Sequence, residues 1–323
     1  MGNRVGEEPG KPGRKPDQRG KTEGRRVREE PNAGSGAIVR IGSPLMTPPP
    51  DRDPLPTCVQ GLDALPEAYL AVVRTGLAAA LQGDALPVAG TSGGPSGGIP
   101  VGLSEAQLGA IGDHVRLLLA WNDAINLSGI RTAEEIAREH VLDSLTAVPL
   151  LRRFEIEEFV DLGSGAGYPG LPLAVALPAR RALLVESIAK KARFLTAAVE
   201  AVGMGDRVAV VAARAESVAA DPDHRGRWGA VVARAVADLT DLAEISMPLL
   251  RTGGLLVAWK RRPFDEELTH AERALRQLGG RMAEVAPVAV PGLEDHVLAV
   301  VEKVAETPPE FPRDPAVRRR SPL

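Results

Sequence analysis

Residues 158–170, Glu158-Phe-Val-Asp-Leu-Gly-Ser-Gly-Ala-Gly-Tyr-Pro-Gly170, constrain the fold more than any other stretch of the chain. The apolar run Phe159 to Leu162 carries an acid, Asp161, and is followed by glycines at alternate positions, Gly163, Gly165 and Gly167. Pro169 then opens an amphipathic segment to about Leu177, and proline suits the first turn of a helix. The order is strand, glycine turn, helix. Glycine serves such a turn because the bend is tight and a ligand approaches bare backbone. The free amides at the helix start attract negative charge or a carboxylate.

The spacing narrows the ligand. A dinucleotide fold seats a pyrophosphate with G-x-G-x-x-G, and here Tyr168 stands where the third glycine belongs. The pattern is instead D-x-G-x-G-x-G. A carboxylate at Asp161 would repel phosphates and suits a ligand with an ammonium group, such as the methionine end of S-adenosylmethionine. A second acid, Glu186, follows the apolar run Ala182–Val185, and an acid there can accept both hydroxyls of a ribose. A glycine loop and a strand-end acid also occur without any ligand, but two acids at two strand ends favour a nucleotide-type ligand.

Around this stretch the chain divides by pattern. Residues 1–60 are rich in Gly, Pro, Arg and Ser, show no apolar period, and read as a disordered extension. Within 61–102, a helix is expected over 66–82, followed by a flexible Gly/Pro/Ser linker. Residues 103–157 form a helical layer. Its first helix opens with the capping box Ser104-Glu-Ala-Gln107 and carries the stripe Leu108, Ile111, Val115, Leu118, Leu119. A further helix runs from about Thr132 through Leu145. From 158 to 305 strands alternate with helices, the strands at 158–162, 182–186, 207–211, 228–233, 254–259, 282–290 and 297–303. The intervening helices are at about 169–177, 188–202, 215–220, 238–250 and 264–279. Strands separated by helices call for a parallel sheet, and the short connection Pro291 to His296 makes the last two strands antiparallel. The expected fold is α/β, a Rossmann-like class I methyltransferase sheet of seven mostly parallel strands with helices on both faces. Residues 306–323 are a basic tail.

Charge is uneven along the 323 residues, whose formal net charge is −3. Residues 1–28 hold nine Lys/Arg against four Asp/Glu, and residues 311–323 hold four Arg against one Asp. The body between them is strongly acidic, which is not the profile of an all-over nucleic-acid coat, and any phosphate contacts would fall to the basic tails. One cysteine, Cys58, rules out an internal disulfide and fits a reducing cytoplasm. No apolar run approaches the length of a membrane span and no signal-peptide core is present. The five histidines show no metal-ligand spacing. A cytoplasmic, metal-free monomer is expected.

With these motifs in order, the chain resembles the RsmG/GidB family, bacterial methyltransferases that modify guanine N7 in 16S ribosomal RNA. The resemblance covers roughly 104–303 and the basic end. It rests on Trp121-Asn122…Asn126-Leu127-Ser128, His140-Val-Leu-Asp143-Ser144-Leu145, Asp161 through Pro172, Val185-Glu186-Ser187…Lys190-Lys191…Phe194-Leu195, Arg214-Ala215-Glu216, Arg234-Ala-Val-Ala237, Trp259-Lys260 and Phe311-Pro312-Arg313…Pro322-Leu323. Four positions depart from the usual family pattern: Ser128 for Thr, Tyr168 for Phe, Glu186 for Asp, and Arg261 for the glycine after Lys260.

The resemblance implies S-adenosylmethionine as cofactor and 16S rRNA, or a small-subunit precursor, as partner. It implies that Gly163 and Tyr168, with Asp161 and Gly165 in the same turn, face the cofactor. Glu186, Ser187 and Ile188 would hold the ribose, Ala215 and Glu216 the adenine edge, and Arg234 would lie at the cofactor pocket. Guanine N7 carries a free lone pair, so no general base is required. Asn126, His140 and Lys260 are positioning candidates. Lys190, Lys191, Arg193, Arg318, Arg319 and Arg320 are candidate phosphate contacts. A class I methyltransferase with a small-molecule or protein substrate is the alternative. An NAD(P)-linked oxidoreductase or a non-catalytic nucleotide-binding module is a further one, which Tyr168 disfavours.

Overall fold

The computed structural model describes residues 55–81, 102–178, 181–234 and 237–323. The expected extension up to residue 54, residue 82 at the end of the expected helix, and the expected linker 83–102 apart from Gly102 lie outside the described residues. Residues 55–60 were expected to belong to that extension, yet they lie along the helical layer. The Trp121 indole N–H donates to Pro56 O at 2.6 Å, and Arg116 donates to Val59 O and Leu62 O. Buried donors on a helix need acceptors, and this segment supplies them.

Seven strands form one sheet: β1 Glu158–Leu162, β2 Arg181–Val185, β3 Val208–Val211, β4 Trp228–Arg234, β5 Leu250–Arg261, β6 Gly280–Pro287 and β7 His296–Lys303. Their order is β3-β2-β1-β4-β5-β7-β6. The pairs from β3 to β5 are parallel, and β7 runs antiparallel to both β5 and β6. This is the expected architecture, and the chain reverses direction across the sheet between β1 and β4. Glu186 was expected to end β2. It sits one residue past it, its N–H donating to Val211 O of β3.

The sheet is covered on both faces, which is why its central strands read as continuous apolar runs. Period-two alternation assigns each face. Phe159, Leu184, Val232 and Val257 pack under the helical layer, and Val160, Leu183, Val231 and Leu256 pack on the opposite face. The helices are α1 Glu67–Leu81, α2 Glu105–Ile125, α3 Ala133–Glu135, α4 Asp143–Leu145, α5 Val148–Arg153, α6 Gly170–Ala176, α7 Ala189–Ala201, α8 Ala215–Ala220, α9 Leu239–Ser246, α10 Asp265–Gln277 and α11 Pro315–Arg320. The capping box at Ser104 forms as expected at the start of α2. Between α3 and α4 the helix is not α but π, Ile136–Leu142. Hydrophobic periodicity does not announce that switch. π-turns are rare and gather at functional sites, and this one carries Glu139 and His140.

Candidate functional site

The glycine turn leaves the C-terminal end of β1. Gly163, Gly165 and Gly167 all have positive φ (71°, 56° and 90°), a region closed to most side chains. The turn is tied to β2 by Gly163 N–H and Ser164 N–H, which both donate to Val185 O. A Cβ built on Gly165 would meet only Gly163 O, at 3.8 Å, so the outer side of the turn is open.

Glu186 is buried beside this turn. Its Oε2 accepts the Gly165 N–H at 3.0 Å and its Oε1 accepts the Ile188 N–H at 2.7 Å. A carboxylate has about four lone-pair sites, so two acceptor positions remain. Ser187 and Ile188 are exposed next to it, Ile188 unusually so for a large apolar side chain, at 45%. Ala215 and Glu216 begin α8 just beyond β3, on the same edge of the sheet.

Asp161 lies under the turn with no exposed surface. Its Oδ2 accepts the Gly170 N–H at 3.0 Å and its Oδ1 has no partner. A Cβ at Gly170 would come within 2.5 Å of that carboxyl, so glycine is what lets α6 start there. Burial pushes the Asp161 carboxyl up to about 7.

Tyr168 is buried too. Its ring stacks between His114, centroids 4.5 Å apart, and His140, 4.7 Å apart, with the Arg234 guanidinium 5.7 Å from its centre. Its hydroxyl has no partner, and burial raises its pKa. Tyr168 thus forms the wall between the glycine turn and the helical layer. His114 Nε2 lies 2.7 Å from Ala166 O, an atom that only accepts, so the proton is on Nε2. Burial lowers the His114 pKa to about 4.

Across that wall lies a cavity of about 330 Å³ at the C-terminal ends of β4 and β5. Ala233, Arg234, Trp259, Lys260, Arg261 and His296 line it from the strands, and Glu139, His140 and Asp143 from the helical layer. Arg234 donates to Glu139 O at 2.8 Å, to Asp143 Oδ2 at 3.0 Å and to His140 Nδ1 at 3.1 Å. A guanidinium only donates, so His140 Nδ1 accepts, and its Nε2–H donates to Ser128 Oγ at 2.7 Å. Burial and the adjacent Arg234 hold the His140 pKa down to about 3, leaving the ring neutral. Ser128 is fixed in turn by Asn122, whose Oδ1 accepts the Ser128 N–H. Asp143 Oδ1 accepts from His296 Nδ1 at 2.9 Å, and Asp143 O accepts the Trp259 indole N–H. Lys260 donates to Ala237 O at 2.7 Å and to Glu267.

Of the three positioning candidates, His140 and Lys260 line the cavity and Asn126 does not. It caps α2 in a left-handed conformation, exposed, with its side chain accepting from Arg131. Glu139, Trp259 and His296 were not singled out as site residues. Lys190 and Arg193 are exposed and Lys191 half-buried in the first turns of α7, directly after Glu186. Arg319 and Arg320 are exposed. Arg318 is not a free cation: it is 7% exposed and pairs with Glu216 at 3.3 Å and Asp241 at 3.7 Å. The amphipathic turn Pro315–Arg320 folds that one arginine inward.

A second concavity, about 580 Å³, lies among α9, α10 and the last two residues of the chain. Asp238, Asp241, Glu266 and Glu267 ring it, a field that repels a polyanion. The smaller cavity, next to the glycine turn, is the better candidate.

Residues 107–293 match the family model described as rRNA small subunit methyltransferase G. Relatives called ribosomal RNA small subunit methyltransferase G match over most of their length. That of Pelotomaculum thermopropionicum is 39% identical over 222 residues, covering 68% of this chain and 92% of the relative. That of Roseiflexus sp. is 41% identical over 221 residues, covering 68% and 94%. That of Deinococcus radiodurans is 39% identical over 248 residues, covering 74% and 95%.

Proposed function

The chain belongs to the rRNA small subunit methyltransferase G family, and we propose that it methylates guanine N7 of that RNA in the cavity at the ends of β4 and β5. It is an S-adenosylmethionine-dependent methyltransferase of small-subunit ribosomal RNA. The observation that carries the reading is one juxtaposition. An open glycine turn with a buried carboxylate lies at the ends of β1 and β2, and the Tyr168 ring that follows it packs on His140 and Arg234, which line a cavity at the ends of β4 and β5.

The residues fit a nucleoside with a charged tail. Glu186 has two acceptor positions free for ribose hydroxyls, and exposed Ile188 offers an apolar surface to a base. Open space above Gly165 admits a ligand against bare backbone. When bound, S-adenosylmethionine supplies a sulfonium methyl carbon that N7 takes in line, the S–C electron pair going to sulfur and no proton leaving. The cavity suits such a reaction. His140 is neutral with both nitrogens engaged, and both Asp143 oxygens are occupied, so neither is poised as a base. Their work is positional, and holding reactants in line can supply up to about 7–11 kcal/mol of the barrier.

RNA reaches this edge through cations placed beside it. Lys190, Lys191 and Arg193 follow Glu186, and exposed Arg319 and Arg320 lie on α11, which Arg318 fastens to Glu216. The test is methylation of 16S rRNA and of small subunits by the purified chain with labelled cofactor, the product mapped by mass spectrometry. 7-Methylguanosine is expected. Label at another atom or another base would overturn the assignment to N7.

A further inference from the structure

Taking the cavity as the acceptor pocket, as proposed above, we infer that Glu139 selects guanine. Its carboxylate accepts the N1–H and N2–H donors of the base, exchanging its loose pairing with Arg261 for them.

The argument is an account of the polar groups around the cavity. Arg234 is committed to Glu139 O, Asp143 and His140. Asp143 is committed to Arg234 and His296 through both oxygens, and Lys260 to Ala237 O and Glu267. His140 has a partner on each nitrogen, and Trp259 donates to Asp143 O. His296 Nε2, 3.9 Å from Asp295 Oδ1, has no hydrogen-bond partner, but that atom is covered. Among the described residues, the charged side chains lining the cavity that remain without a hydrogen bond are those of Glu139 and Arg261. They face each other at 3.7 Å, beyond hydrogen-bond reach, and Arg261 is 3.8 Å from Asp295. A pair at that separation on a wet surface is worth little, so exchanging it for a base costs little.

Position decides which edge of the base they meet. His140 and Arg234 contact Tyr168, so they mark the inner end of the cavity, toward the glycine turn. Glu139 and Arg261 have side chains 35% and 62% exposed and mark the mouth. A guanine that presents N7 inward carries N1–H and the N2 amino group at its opposite end, toward the mouth. A carboxylate matches those two donors. Adenine offers a lone pair at N1 and no amino group at C2, so the same carboxylate repels it. A site built to bond a donor rejects the analogue lacking it far better than an apolar pocket could. Glu139 is also held for the task. Its carbonyl is pinned by Arg234, and the π-turn brings it onto the cavity with His140 and Asp143. The flipped base is read on its Watson–Crick edge, as in other enzymes that extrude their target.

The experiment uses the full chain with RNA carrying either guanine or inosine, which lacks the N2 amino group, at the guanine first mapped for the parent protein. E139Q and E139A are compared with the parent in kcat/KM, in binding of S-adenosylhomocysteine by calorimetry, and in melting temperature. Both variants are expected to fold and to bind S-adenosylhomocysteine as the parent does. Their kcat/KM on guanine should fall roughly 10–150-fold, the range for hydrogen bonds to a charged group. Inosine should penalise the parent and leave E139A nearly indifferent. Parental kcat/KM in E139A, or an equal inosine penalty in parent and variant, overturns the inference while the assignment to N7 stands. A parent that methylates RNA at a position other than guanine N7 overturns both.

Discussion

His296 Nδ1 lies 2.9 Å from Asp143 Oδ1 and joins the start of β7 to the turn after the π-helix, 153 positions away in sequence. The other Asp143 oxygen binds Arg234 at the end of β4. One buried carboxylate thereby clamps the helical layer to two strands beside the cavity. Removing one partner of such a buried pair leaves the other charge uncompensated, at a cost of about 3–5 kcal/mol. Asp143→Ala is expected to lower stability by about that much in chemical denaturation. A midpoint equal to that of the parent would show that Arg234 and His296 do not depend on it.

Asp161 makes a prediction of opposite sign. Its folded pKa, about 7, lies above the ordinary carboxylate value of 3.8. Between those values the folded chain holds a proton that the unfolded chain releases, so this group costs stability progressively as pH rises from about 4 to 7. His114 and His140 act the other way. Their folded values, about 4 and about 3, lie below 6.5, so their stability is present above pH 6.5 and is lost as pH falls toward those values. Asp161→Asn keeps an oxygen for the Gly170 N–H and removes the charge. It is expected to raise stability at pH 8, by up to about 4 kcal/mol, and to lose that advantage near pH 4. An advantage that does not change with pH would place its origin in packing, not ionisation.

Glu186 carries the cofactor prediction. Its carboxylate accepts two backbone N–H groups of the turn and, in the proposed complex, the ribose hydroxyls. Glu186→Ala should weaken S-adenosylhomocysteine binding by about 1.5–3 kcal/mol, measured by calorimetry. An unchanged dissociation constant in a folded variant would remove Glu186 from the site.

The contrast between these residues shows what a sequence can carry. The glycine turn, Gly163 to Gly167, and the acid after β2 were legible because the chemistry sits within a few residues of a local pattern. The parallel sheet and its closing antiparallel pair followed from alternation with helices and from one short connection before His296, whereas the order of the strands came only from the fold. The clamp was not legible, because Asp143 meets Arg234 and His296 only through the fold, 91 and 153 positions away. The π-turn was missed because its residues keep an apolar pattern compatible with an ordinary helix. Asn126 was placed near the chemistry because its motif lies there in sequence, and the left-handed cap turns it outward.

The three arginines at 318–320 separate two kinds of cation that a run of identical letters conceals. Arg318 is folded inward onto Glu216 and Asp241, whereas Arg319 and Arg320 face solvent. A solvated cation that contacts RNA contributes mainly through released counterions, up to about 0.7 log units of salt slope per phosphate on a single strand. Replacing Arg319 and Arg320 with Ala should therefore flatten the salt dependence of RNA binding without changing melting temperature or cofactor affinity. Arg318→Ala should instead lower the melting temperature and weaken S-adenosylhomocysteine binding, because it frees Glu216 at the head of α8, on the edge proposed to meet the adenine. Salt-dependent binding and calorimetry on the two variants separate these outcomes. If Arg318→Ala alone flattens the salt slope and leaves stability intact, the pairing with Glu216 and Asp241 gives way to RNA in solution.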